Sequence, residues 1–331
     1  MLLKAQRLYA MPTMQILRRI LGWLIGIIAA LWLALTVYAY WPMEKEVPAA
    51  QLARPGDQFI EVDSLRLRYR SYGQPGAGRP NLLLIHGFGN SLQSWRSLAP
   101  RLAADCYVVA IDMPGYGLSD KPVEHDYHNG PQAEVMIAAA RALGLSRPVY
   151  VGHSLGGTVA LQAAVRDPNA SGLVLLNPGI ISTGVPKIVQ LTVPPLPRLS
   201  ARMFGERGFR ENFLKKSYVH PQIVTAAVID DVMLGARSEG YAAGMTSLMQ
   251  QYSAGEEIAL AARVRAPTLI LWGNQDRNKP LSEANELQSL LPGSKLVRFD
   301  GAGHYVHEEQ PQAVAAALLD WLRSRNEPAI Q

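Results

Sequence analysis

The chain has 331 residues, 48% hydrophobic and 18% charged, enough apolar material for one domain carrying an insertion rather than two independent domains. A single cysteine, Cys106, excludes an intrachain disulfide, and the seven histidines show no zinc-type spacing. Net charge is +5, but it is concentrated in Lys4, Arg7, Arg18 and Arg19 and in residues 187–220, which leaves the remainder mildly acidic and excludes a uniformly basic nucleic-acid binder.

Residues 20–43 contain no charge. This exceeds the roughly 20 apolar residues that cross a bilayer as a helix, and Tyr38, Tyr40 and Trp41 suit the far interface. A transmembrane helix over 20–41 is predicted. The competing reading is a cleaved signal peptide, whose apolar region is usually about 7–15 residues. Arg18 and Arg19 precede the span, while Glu44, Lys45 and Glu46 after it nearly cancel. The positive-inside rule then puts residues 1–19 in the cytoplasm and everything after the span outside, a single-pass inner-membrane topology. Gly22 and Gly26 form a small-xxx-small pair that suits a homodimer.

Residues 42–57, rich in Pro, Ala and charge, read as a juxtamembrane linker. Residues 58–62 and 65–71 alternate and predict an edge hairpin. Asn81-Leu82-Leu83-Leu84-Ile85 is a buried strand, followed by the loop His86-Gly87-Phe88-Gly89. Crossover helices are expected at 95–102 and 132–143, around the strand Tyr107-Val108-Val109-Ala110-Ile111, with Cys106 in the core.

Gly152-His153-Ser154-Leu155-Gly156 is the most informative stretch. It is a G-x-S-x-G pattern between an apolar strand (Pro148-Val149-Tyr150-Val151) and an Ala-rich helix. A serine on such a turn stands proud of the sheet, in a backbone that only small neighbours tolerate. A hydroxyl needs a base, and the base needs an orienting acid, in chain order Ser, Asp or Glu, His. Pro267-Thr268-Leu269-Ile270-Leu271-Trp272-Gly273 is a strand leading to Asp276, and Ser294-Lys295-Leu296-Val297-Arg298-Phe299 leads to His304. Asp276 is assigned as the acid and His304 as the base. Asp300 reads as a loop cap, Asn177 as an uncharged residue where some relatives place the acid, and His307 as a rim histidine opening a last helix over 308–325. The oxyanion donors are the backbone N–H groups of Leu155 and Phe88. Gly87 and Gly89 let the backbone approach substrate, Gly156 closes the turn, His86 braces the loop, and His153 packs away from the hydroxyl.

The loop at His86, the run from Asp112 to Asp120, the Ser154 turn, Asp276 and Gly303-His304 together resemble the α/β-hydrolase superfamily. The resemblance implies a mostly parallel sheet with helices on both faces, built from residues 58–178 and 255–331. It implies that residues 179–254, which break the strand pattern, are a helical cap over the site. The apolar residues of this stretch read mostly as ordinary helix packing, and the sharper reading is that some of them line an acyl-chain tunnel; its basic residues are either solvated or face anionic lipid. The serine argues against the epoxide hydrolases and haloalkane dehalogenases, which place aspartate there. Anchor, hydrolase and cap together are similar to membrane-bound bacterial phospholipases A and anchored monoacylglycerol lipases. That similarity implies a cofactor-free, metal-free serine ester hydrolase acting on lipid acyl esters. General carboxylesterases, carbon–carbon bond hydrolases of ring-cleavage products and a catalytically silent membrane scaffold are the alternatives.

Overall fold

The computed structural model describes residues 2–43, 45–182, 192–251 and 257–325, with side chains from Met14 onward. Lys187, Val189 and Leu191 of the expected cap, the boundary residues 252–256, and Glu44 lie outside the described residues. Helix α1 (Leu2–Tyr40) is longer than the predicted span: the basic segment 1–19 continues into it from Leu2 rather than standing apart. Within it, Met14–Tyr40 has a mean hydropathy of 2.4 and is exposed to its end, where Ala39 is buried. Those 27 residues reach about 40 Å at 1.5 Å per residue, against the roughly 30 Å of a hydrocarbon core.

Residues 42–57 are not a free linker. Glu46 accepts hydrogen bonds from the backbone N–H groups of Gly240 and Ala242 at 2.9 and 2.8 Å, and Val47 forms a bridge with Ser238. Leu52, at the end of the one-turn helix α2 (Ala49–Leu52), is buried with Leu118 and Leu234. Charged and apolar groups are both used, so the segment straps the end of α1 to the body.

Strands β1 (Gln58–Val62) and β2 (Leu65–Tyr72) form the edge hairpin. Next, β3 (Asn81–Ile85), β4 (Tyr107–Ile111), β5 (Pro148–His153) and β6 (Gly172–Leu176) alternate with α3 (Ala99–Leu102), α4 (Asn129–Ala142) and α5 (Leu155–Arg166). A helical insertion follows, with α6 (Leu196–Gly205), α7 (Arg207–Ser217), α8 (Ala226–Arg237) and α9 (Tyr241–Gln251). The chain then returns through α10 (Glu257–Ala261), β7 (Thr268–Gly273), α11 (Leu281–Leu290), β8 (Lys295–Phe299), α12 (Val306–Glu309) and α13 (Pro311–Ser324). Two expected helices are broken. In place of a helix over 95–102, a 3₁₀ turn over Leu92–Trp95, capped by Ser91, precedes the short α3, which has Pro100 in its first turn. The C-terminal helix is divided at Pro311. Proline fits a first turn but removes a donor from a helix interior.

The eight strands run in the order β1-β2-β4-β3-β5-β6-β7-β8, parallel except for β1 and β2. Leu83 and Ile85 of β3 point into a core shared with α4, α5 and α11, while Leu82 and Leu84 point into one shared with α3 and α13. Both faces are covered, which is why the central strands read as unbroken apolar runs. The order reverses at β3, which lies between β4 and β5. In open parallel sheets such a reversal leaves a crevice outside the carboxyl ends of the strands.

Candidate active site

That crevice is where the sequence motifs meet. Register sets them side by side: Ile85 pairs with Gly152, so the loop after β3 leaves the sheet level with the turn after β5. Ser154 sits on that turn with φ 53° and ψ −118°, a sparsely populated conformation costing on the order of 1–3 kcal/mol. Its neighbours must be small. A Cβ on Gly152 would lie 2.1 Å from Gly156 O, and one on Gly156 2.2 Å from Ile85 O. Leu155 is the first residue of α5, so its N–H has no carbonyl one turn back to bond. The helix N-terminus favours negative charge at this point.

Gly87 runs directly past the serine; a Cβ there would lie 3.1 Å from Ser154 Cβ. Gly89 takes φ +64°. Phe88, between them, packs its ring edge-on against Tyr116 and Phe204, the latter from α6 at 5.1 Å. His86 fixes the root of the loop. Met113 N–H donates to its Nε2 at 3.2 Å, so Nδ1 carries the proton and donates to Gly87 O at 2.8 Å. Burial pushes its pKa down.

Asp276 follows β7 and His304 follows β8. Their side chains are joined, Nδ1 to Oδ2, at 2.7 Å. Asp276 also accepts from Asn177 Nδ2 at 2.8 Å and from the N–H groups of Asn278 and Lys279 at 2.8 and 3.1 Å. Burial alone would raise its pKa. The charge of His304 and the hydrogen bonds from His304, Asn278 and Asn177 outweigh burial and hold it below the usual carboxylate value. The backbone of His304 is tied on both sides: its N–H donates to Ser217 O at 3.2 Å, and its carbonyl accepts from His153 Nε2 at 2.8 Å. The rings of His153 and His304 lie 4.8 Å apart, which brings His304 beside the residue preceding Ser154. Among the described residues Ser154 Oγ and His304 Nε2 share no hydrogen bond; contacts between a nucleophile and its base are often loose without substrate and tighten once it binds.

A family model described as the alpha/beta hydrolase fold matches residues 80–311. The chain belongs to the α/β-hydrolase fold family. This hydrolase is 28% identical over 266 residues to the uncharacterized hydrolase YugF of Bacillus subtilis, covering 79% of the chain and 96% of the relative. It is 24% identical over 282 residues to a 2-hydroxy-6-oxononadienedioate/2-hydroxy-6-oxononatrienedioate hydrolase of Cupriavidus pinatubonensis, covering 80% and 94%. Among solved structures it is similar to a membrane phospholipase A described as a bacterial virulence factor, with TM-score 0.66, 26% identity and coverage of 92% and 99%.

Several residues of the hydrolase depart from their sequence reading. His307 is not at the rim. It is fully buried, donates to Ser94 Oγ at 2.8 Å, and lies 4.6 Å from the rings of both His153 and Trp95. Burial lowers the pKa of His153 and His307 well below the ordinary histidine value, helped by neighbouring charges. Asn177, set aside for lacking charge, is fully buried at φ +39°, with Nδ2 on Asp276 and Oδ1 accepting from Gly273 N–H at 3.1 Å. Its place at the carboxyl end of β6 is the feature that could have marked it. Asp300 is exposed and hydrogen-bonded to Asn274. Among the described residues, the basic side chains of the insertion do not form one outward patch. Arg202 and Arg210 are buried, while Arg207 pairs with Asp230 and Lys215 with Glu211, both at 2.5 Å.

Proposed function

We propose that this α/β hydrolase is a membrane-anchored serine ester hydrolase that cleaves the acyl esters of lipids. Ser154 Oγ attacks the ester carbonyl as His304 Nε2 takes its proton, and Asp276 holds the imidazole tautomer and stabilises the imidazolium. The Leu155 and Phe88 N–H groups bind the oxyanion. The alkoxide leaves with the proton from His304, and water then releases the acid by the same steps in reverse. The reaction calls on neither metal nor organic cofactor.

One observation carries the lipid reading. The exposed apolar helix α1 ends against the insertion over the site. Arg202 of α6 donates to Trp41 O at 2.6 Å and lies 4.5 Å from the Tyr38 ring, and Glu46 caps the start of α9. With α1 in a bilayer, α6 and α9 are held at the membrane surface above the crevice. By the positive-inside rule, Arg18 and Arg19 ahead of the span support a cytoplasmic N-terminus and a hydrolase outside the inner membrane. A Cβ on Gly22 or Gly26 would meet nothing within 4 Å, which leaves that helix face open to a second copy.

The test is a panel of phospholipids, lysophospholipids, monoacylglycerols, short esters and ring-cleavage dienoates, offered to the detergent-purified chain beside Ser154→Ala. The expected result is lipid ester cleavage that falls by about 10³-fold or more in the variant. Preference for short soluble esters would make the protein a general carboxylesterase, and turnover of dienoates alone a carbon–carbon bond hydrolase. Absence of any turnover or fluorophosphonate labelling would leave a scaffold.

A further inference from the structure

Three arginines are buried among the described residues: Arg68, Arg202 and Arg210. Two have carboxylate partners. Arg68 pairs with Asp112 at 2.7 Å and Asp57 at 3.6 Å, and Arg202 with Glu206 at 3.7 Å. Arg210, on α7 and only 4% exposed, pairs with no carboxylate among the described residues, and its Nε has no hydrogen-bond partner. The acids nearest it in sequence serve other cations, Glu206 on Arg202 and Glu211 on Lys215. The guanidinium lies 5.0 Å from the Phe204 ring, and Tyr241, Tyr305 and Tyr116 are near enough to act on its charge. Removing a charge from water without a counter-charge is costly. Burial depresses its pKa, yet a guanidinium stays protonated.

Its position is specific. Arg210 Nη1 lies 2.4 Å from where a Cβ on Gly89 would be, so the guanidinium rests on the loop beside Phe88. Gly89 is two residues beyond Gly87, which touches Ser154; two peptide units span at most about 7 Å. That bounds the stretch of loop between the two positions, which a glycerol-sized alcohol is long enough to follow from the scissile ester. The loop also has bonds of its own, Asn90 N–H to Gly87 O at 3.2 Å and the two contacts of His86.

We infer that Arg210 is the subsite for an anionic group of the substrate, a phosphate or carboxylate carried about a glycerol's length from the ester. This rests on Ser154 being the nucleophile of an ester hydrolase. The substrate then supplies the counter-charge that the protein omits, and the enzyme favours acyl esters of phosphorylated or carboxylated alcohols over neutral ones. An arginine suits this task because its planar fork meets either anion through two parallel hydrogen bonds.

The experiment compares kcat/KM for three esters with one acyl chain: 1-hexanoylglycerol, 1-hexanoylglycerol 3-phosphate and 3-hexanoylglycerate. The full-length protein, Arg210→Gln and Arg210→Lys are measured side by side. The native chain is expected to prefer an anionic ester by at least tenfold, chiefly through KM. Arg210→Gln is expected to remove that preference, and Arg210→Lys to keep part of it. The phosphate and carboxylate arms identify the anion. A preference that is absent in the native chain, or equal in Arg210→Gln, overturns the subsite. A role confined to folding lowers all three substrates together and leaves their ratios unchanged. If the native chain cleaves none of the three, the ester-hydrolase reading falls with the subsite.

Discussion

Replacing Asn177 with alanine tests how the site is held together. The side chain makes two buried hydrogen bonds, to Asp276 Oδ2 at 2.8 Å and from Gly273 N–H at 3.1 Å. Alanine leaves the Gly273 N–H without an acceptor, at roughly 1–3 kcal/mol. It also puts a Cβ-bearing residue without a polar side chain at φ +39°, at about 1 kcal/mol more. The sum is about 2–4 kcal/mol. With an unfolding entropy of ~2.1 cal/mol/K per residue over a body of about 270 residues, the thermal midpoint should fall by roughly 4–7 °C. Asp276 keeps its contacts with His304, Asn278 and Lys279. Activity should therefore fall by only about tenfold, against about 10⁴-fold for Asp276→Ala. Asn177→Gly separates the terms, because glycine takes positive φ without strain and so recovers the backbone part alone. Scanning fluorimetry and steady-state hydrolysis in the same detergent give both numbers. A native midpoint together with native kcat/KM would refute the reasoning, and so would a loss of activity as large as that of Asp276→Ala.

Acid should destabilise the fold through its buried neutral histidines. His86, His153 and His307 have lowered pKa values in the folded chain, whereas the unfolded chain protonates near pH 6.5. The unfolded state then binds more protons, so stability rises with pH. Below about pH 6.5 His153 and His307 contribute a slope approaching about 3 kcal/mol per pH unit, to which His86 adds, and His307→Gln should remove about 1.4 kcal/mol per pH unit of it; midpoints measured from pH 5 to 7.5 that do not move would contradict this. Gly156→Ala should abolish fluorophosphonate labelling, since its Cβ would lie 2.2 Å from Ile85 O and 2.4 Å from His86 O. A well-folded, labelled variant would show that the turn can relax.

The parts of this fold that were legible in the sequence are those written locally. The strands β3, β5, β6 and β7 are near-continuous apolar runs, because helices cover both faces of the sheet. Ser154 stands out through its glycines, and Asp276 and His304 through the loops that end the last two strands. What escaped depends on distant partners. His307 can be buried because Ser94, 213 positions away, accepts its hydrogen bond. Glu46 finds its donors 194 and 196 positions away, which turns an apparent linker into a strap. Arg210 reads as one more charge in a basic run; only the packing of α7 on Gly89 sets it apart. The broken helices were visible in Pro100 and Pro311, which suit only the first turn of a helix.

The most direct measurement is mass spectrometry of the protein acid-quenched while it turns over a lipid ester. One added acyl mass is expected, confined to the peptide bearing Ser154 and absent from Ser154→Ala. Steady lipid turnover with the acyl group on another residue would contradict it, as would turnover undiminished in Ser154→Ala.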